Sequence, residues 1–295
     1  MTAILSPDAD PTQRADPGRG RRYALAAAVM WSVGGAAAKG IALDGASIAF
    51  YRGLFAGLAL LPFVPRRHWK LSPALLPLAI IFGGMTGCYL GAIKATTAAN
   101  AIFLQCTSTF WTIPMSFLLL GERPDRRSVV GIMVGMVGVA AIVAGSRSGD
   151  SRGIALGLAS GVLYGAVGVI FRYLRGLDPG WLSAASNLGG AASLAAWIFG
   201  SGGSIAVPTA GQASALVAFG VVQMAIPYLL FARALREIGA PEAGLIGLIE
   251  PALNPVWVLL TTGERPGGAT VFGGLMLLAG VAVRYVGGGR REEIS

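Results

Sequence analysis

The chain has 295 residues, 54% of them apolar and only 13% charged, with a mean hydropathy of +0.66 and a formal net charge of +9. A soluble domain needs about 25% charged residues to meet water, so this composition excludes a soluble globule and points to a lipid bilayer. The positive charges sit between apolar runs rather than on one basic face, which argues against a nucleic-acid partner.

Residues 1–22 are polar, rich in Pro, Asp and Arg, and read as a disordered tail. The first apolar run covers 23–42 and carries Trp31, with Lys39 near its end. A cation at a helix C-terminus complements the dipole and can reach the headgroups, the plain reading of Lys39. The second run, 47–64, holds Arg52 well inside, to pair with Glu250 or another acid or to face the outer aqueous mouth. A basic loop follows, in which the single histidine, His68, reads as a surface residue. The third run, 74–93, has Gly83, Gly87 and Gly91 on one stripe and carries Tyr89. The fourth, 98–120, bears Asn100, Gln105, Ser108, Trp111 and Thr112, with Pro114 near its end. The cysteines, Cys88 and Cys106, lie inside these apolar runs and read as packing residues, with no metal site or disulfide expected.

The fifth run, 128–145, is glycine-rich, and the sixth, 153–174, repeats Gly at 153, 157, 161 and 165 before Tyr164 and Arg172 complete it. Such stripes permit close helix approach, either as static packing or as smooth surfaces for sliding. The seventh run, 180–199, opens at Trp181, and the eighth, 212–234, carries Pro227 and Tyr228. The ninth, 241–262, contains Glu250, Pro251, Asn254, Pro255 and Trp257; the tenth, 268–286, precedes a short tail at 288–295. The fold class is therefore an all-α polytopic membrane protein with ten transmembrane helices. Of the 23 Lys and Arg, seventeen fall on one side of this topology and four on the other. Cytoplasmic loops retain these residues, so both termini are expected in the cytoplasm and the chain in the inner (plasma) membrane.

The second half repeats the first. Gly121-Glu122-Arg123-Pro124 closes the fourth run, and Gly263-Glu264-Arg265-Pro266 closes the ninth 142 residues later. At the same offset Ala98 meets Ala240, Gly131 meets Gly273 and Gly138 meets Gly280. Five spans is an odd number, so the second copy enters the membrane inverted, an arrangement typical of transporters with a midplane site between the halves. The two repeats are placed at 23–145 and 153–287.

Two five-helix halves, each with a Gly-Glu-Arg-Pro segment and a Gly-rich last span, resemble the drug/metabolite transporter (DMT) superfamily, specifically its EamA-type members. The Glu250-Pro251 pair is similar to that family's pattern, although the first half has Ser108-Thr109 there. The resemblance implies a carrier that exports amino acids or other small metabolites, with YddG-like amino-acid exporters as relatives.

An ionisable residue inside a span marks function or a buried partner. Glu250, Asn254 and Trp257 share one sector of the ninth helix, and at offset 142 Ser108 and Thr112 stand where Glu250 and Asn254 do. Gln105 extends that sector, and Asn100 and Trp111 adjoin it. Pro251 and Pro255 free carbonyls near Glu250. A carboxylate among free carbonyls suits a substrate ammonium or a proton; the structural alternative is an ion pair locking the halves. Trp31, Tyr89, Tyr164 and Tyr228 complete the candidate substrate-binding set, with Trp181 a further cavity aromatic.

The leading function is thus export of amino acids, aromatic or other apolar ones among them, by alternating access. A carrier of phosphorylated or nucleotide-linked solutes is the alternative and wants several cavity cations, of which Lys39 and Arg52 are the obvious ones. A polytopic membrane enzyme needs a cluster of acids, bases or ligands that the chain does not supply. No G-x-x-x-x-G-K-[ST] segment is present, so no nucleotide or other cofactor is expected, and the sequence sets no oligomeric state.

Overall fold

The computed structural model describes residues 16–121, 126–146 and 148–285. The expected tail at 288–295, most of the tail at 1–22, and Glu122, Arg123 and Pro124 lie outside the described residues. Among these residues fourteen α-helices assemble into ten rods. The first rod is α1 (Pro17–Ser32) and α2 (Gly34–Gly40); the second and third are α3 (Gly45–Leu60) and α4 (Leu75–Ala95). The fourth is α5 (Ala98–Cys106) and α6 (Ser108–Leu120), and the fifth is α7 (Arg126–Ala144). In the second half come α8 (Ser151–Tyr173), α9 (Pro179–Gly200), α10 (Ala210–Gly220) with α11 (Ile226–Ala234), α12 (Ala240–Gly247) with α13 (Ile249–Thr262), and α14 (Gly268–Tyr285). Among the described residues, eight helical stretches of 19 to 25 residues are long and apolar enough to cross a membrane.

The first helix starts six residues earlier than its hydropathy predicts, so residues 17–22 are helix rather than tail. Polar contacts rather than burial account for it. The Asp16 carboxylate accepts the Arg19 backbone N–H at 3.0 Å and Pro17 opens the helix. Arg19 pairs with Glu237, and Arg21 Nε donates to Glu242 Oε1 at 2.6 Å. The Asp16 backbone N–H, and then the Arg19 guanidinium, hold the Glu237 carboxyl below its ordinary carboxylate value.

Four rods are interrupted, each for a local reason. Between α1 and α2, Ser32 Oγ donates to the Val29 carbonyl at 2.6 Å and two glycines follow, so side-chain competition meets weak helix propensity. At Thr107 the hydroxyl donates to the Leu104 carbonyl at 2.6 Å. At Leu248 the cause is Pro251, which has no N–H for the Gly247 carbonyl. Between α10 and α11 a π turn spans Val221–Ala225, where Pro227 has no N–H for the Gln223 carbonyl.

The halves interleave. α7 crosses α14, α4 lies against α8 and α9, α3 against α9, and α1 against α11 and α13. At the α7–α14 crossing a Cβ on Gly131 would stand 2.5 Å from the Gly280 carbonyl oxygen, and a Cβ on Gly273 the same distance from that of Gly138. These two pairs exchange under the repeat, so the pseudo-twofold axis passes through this crossing and only glycine fits there. The stripe on α8 is likewise a contact surface, with Gly161 against Thr107 and Gly165 against the Trp111 Cβ.

Packing is unequal at the two ends. At the end where the chain turns at 41–44, 96–97, 201–209 and 263–267, one continuous apolar cluster includes Ala38, Ile41, Ile93, Ala98, Ile154 and Val258. At the arginine-rich end the core divides into separate groups, one around Leu78, Val167 and Leu174, another around Ala24, Ala234 and Ile238. In the same way α5 packs on α13, whereas their repeat counterparts diverge, α12 lying on α1 and α14 and α6 on α8 and α7.

Candidate functional site

A cavity of about 210 Å³ lies between the halves, near the breaks in the fourth and ninth rods. The first half contributes Trp31, Arg52, Met85, Thr86, Tyr89, Ile102, Gln105, Cys106, Ser108 and Thr109. The second contributes Tyr164, Gln223, Met224, Tyr228, Gly244, Gly247, Leu248, Glu250, Pro251 and Val281. Seven of the expected residues therefore meet on one wall: Trp31, Tyr89, Gln105, Ser108, Tyr164, Tyr228 and Glu250. Trp31 forms an edge-to-face contact with Tyr228, ring centroids 5.6 Å apart, and Gln105 Nε2 lies 3.6 Å from Met85 Sδ.

The other five lie outside the wall in this conformation. Asn100 is buried in the packed end, where Thr270 Oγ1 donates to its Oδ1 at 2.8 Å and its Nδ2 donates to Thr96 Oγ1 at 3.0 Å. Thr112 Oγ1 donates to the Ser108 carbonyl on its own helix at 2.8 Å, and Trp111 lies exposed beside α8. Asn254 is fully buried against Gly35, and Trp257 Nε1 donates to Ser32 Oγ at 2.8 Å. The further aromatic, Trp181, stacks on Trp69 at the arginine-rich end, centroids 5.3 Å apart. Asn254 and Trp257 lie farther along α13 than Glu250, where α13 is packed against α2 and α5. Helical spacing gives a direction around the axis, whereas the cavity occupies only part of its length.

The repeat also slips. Equivalent helices begin at Ala98 and Ala240, 142 apart, but the following segments begin at Ser108 and Ile249, 141 apart. Pro114 and Pro255 keep the shorter offset, and Gly121 and Gly263, both left-handed caps at φ 72°, restore the longer one. In the structure Glu250 thus corresponds to Thr109 and Asn254 to Ile113, not to Ser108 and Thr112.

Sequence reasoning left out Gln223, Met85, Met224 and Cys106. Gln223 had a signal, an amide inside an apolar run; its Nε2 donates to the Trp31 carbonyl at 2.9 Å from within the π turn. The methionines and Cys106 had none, since apolar residues in a span look alike whether they face lipid, core or cavity.

The packed end is tied by charge. Lys39 Nζ lies 2.8 Å from Glu264 Oε2 and donates to the Thr96 carbonyl at 2.8 Å, while Glu264 Oε1 accepts the Ala98 backbone N–H at 2.8 Å. Lys94 Nζ donates to the Ile41 carbonyl at 2.6 Å. The left-handed turn at Gly263 aims Glu264 at the N-terminus of α5, where a carboxylate is favoured. Lys39 is therefore held in a cross-brace between the halves rather than reaching for headgroups.

Comparison with known proteins gives the same architecture. The model of the EamA-like transporter family matches twice, over residues 19–144 and 151–286. An uncharacterized transporter of Archaeoglobus fulgidus is 29% identical over 243 residues, covering 82% of this chain and 87% of that protein. The pseudopaline exporter CntI of Pseudomonas aeruginosa is 27% identical over 242 residues, covering 80% and 84%. A solved crystal structure superposes with a TM-score of 0.66 over 91% of this chain and 97% of its own, at 18% identity, a likeness of fold.

Proposed function

Because the chain belongs to the EamA-like transporter family, we propose that it exports small metabolites, amino acids foremost, by alternating access between its inverted repeats. It is a multi-pass membrane transporter and not an enzyme. The observation that carries the substrate reading is the cavity, walled by both halves, in which the carboxylate of Glu250 stands among Trp31, Tyr89, Tyr164, Tyr228, Met85 and Met224. A carboxylate suits an ammonium group, and aromatic and thioether walls suit an apolar side chain. The reading as a carrier of phosphorylated solutes loses support, because Lys39 is engaged by Glu264 and Arg52 is the one cation on the wall among the described residues.

The excess of Lys and Arg supports a cytoplasmic divided end and a periplasmic braced end, in an inner membrane. With the braced end closed by packing, that orientation suits loading of the cavity from the cytoplasmic side, and the Pseudomonas relative is itself named an exporter. Reporter fusions after Arg67, Arg126 and Arg291 are expected to read cytoplasm, and those after Ser148 and Ser204 periplasm. A periplasmic C-terminus would remove an odd number of spans and with it the inverted repeat. The function is tested with proteoliposomes holding the full chain and a panel of labelled amino acids and sugar phosphates, with and without a pH gradient. Apolar or aromatic amino acids are expected to move and sugar phosphates to stay; the opposite pattern rejects the proposal.

A further inference from the structure

We infer that Arg52 is the carboxylate-binding residue of the cavity and that Arg52 and Glu250 together select zwitterionic substrates. The inference rests on the amino-acid reading above. Arg52 enters the membrane on α3, from the first half, and Glu250 on α13, from the second. Arg52 is 4% exposed yet lines the cavity. The ring of Phe219, 5.3 Å from the guanidinium carbon, supplies no hydrogen-bond acceptor, while Tyr89, Tyr228, Glu250 and Tyr164 interact with the guanidinium electrostatically. No ion pair within 4 Å joins it to Glu250 or to any other described acid. Two groups of opposite charge thus stand on one cavity, on opposite halves, attracting each other across it without a direct ion pair between them.

A buried guanidinium carries five N–H donors and is costly to leave without acceptors. Its planar fork matches a carboxylate in two parallel hydrogen bonds, which a lysine cannot reproduce. Glu250 is acceptor-only when ionised and complements an ammonium. An α-amino acid carries both groups on one carbon, so its two charges answer the two poles while its side chain meets the aromatic and thioether wall. A solute with only one of the charges leaves the other pole desolvated and unanswered. The poles come from different halves, so a bound zwitterion also links the two bodies that must move together in alternating access.

The test uses the full chain in proteoliposomes with four labelled probes. L-Phenylalanine carries both charges, L-phenylalaninamide and phenethylamine only the positive one, and N-acetyl-L-phenylalanine only the negative one. Wild type is expected to move phenylalanine faster than each of the others by about tenfold or more. In Arg52→Gln the phenylalanine rate should fall to that of phenylalaninamide, the ratio of the two approaching one. Arg52→Lys, which keeps the charge without the fork, should restore only part of that ratio. Because the ratio is taken within one preparation, it is independent of how much of a variant folds. Wild type that moves phenylalaninamide as fast as phenylalanine, or an Arg52→Gln protein with an unchanged ratio, overturns the inference and leaves amino-acid export standing. Wild type that moves none of the four probes rejects both.

Discussion

Glu250→Gln is expected to keep the thermal stability of the parent protein and to lose transport by about tenfold to a hundredfold, the worth of one charge-assisted hydrogen bond at roughly 1.5–3 kcal/mol. Two readings of this carboxylate compete. As a structural ion pair, its removal would leave a buried unpaired cation at a cost of about 3–5 kcal/mol, and the variant would melt early. Among the described residues no cation lies within 4 Å of it, Arg52 acting on it only across the cavity, and it stands on the cavity wall. Glutamine keeps the size and the acceptor oxygen while removing the charge, so packing should be spared and recognition of a cation lost. Melting temperature in detergent and initial transport rate, measured on the same preparation, separate the two. A large fall in melting temperature would restore the ion-pair reading, and a stable variant with full transport would reject both.

Opening of the braced end is the second large expected effect. Glu264→Gln removes the charge that holds Lys39 and weakens the acceptor for the Ala98 N–H, contacts that tie the two halves at that end. Stripping a partner from such groups costs about 1–3 kcal/mol, and a shift of this size in a two-state equilibrium changes populations by roughly 5- to 150-fold. Lys39 and Glu264 keep 20% and 23% of their side-chain surface exposed, so water recovers part of the loss and the lower half of that range applies. A single cysteine at Ala101, fully buried in the packed end, in a background without Cys88 and Cys106, reports the change. A membrane-impermeant thiol reagent applied from the periplasmic side should label it about tenfold faster in Glu264→Gln. Lys39→Gln should act in the same direction, and the double variant by less than the sum of the two, because they share the ion pair. Equal labelling in all four proteins would mean that apolar packing alone closes this end.

Much of this molecule was legible in its sequence because the bilayer is a strict solvent. It demands about twenty apolar residues per crossing and sorts Lys and Arg between its faces, so composition and loop charge give the spans and an expected orientation. Duplication left Gly121 and Gly263, and the α7 and α14 glycines, in register, and both structural roles were kept. Rarity singled out Glu250 and Arg52, charged residues inside spans, and both line the cavity.

What only the tertiary structure decided is which polar groups share a space. Thr112 satisfies its hydroxyl on its own helix, and the Trp257 indole N–H donates to Ser32 across a helix contact, so neither needs the cavity. Asn254 shares the sector of Glu250 and Asn100 adjoins that of Gln105, but both lie at a depth that the packed end has closed. The one-residue slip between Ala98 and Gly121 depends on whether Thr107 or Pro251 breaks the helix, two unlike residues with one outcome. The two ends of the bundle differ although the repeat makes them equivalent, because a transporter's conformation at any moment departs from the symmetry of its halves. Lys39 and Glu264 are far apart in the sequence and in different halves; only the folded chain brings them to 2.8 Å.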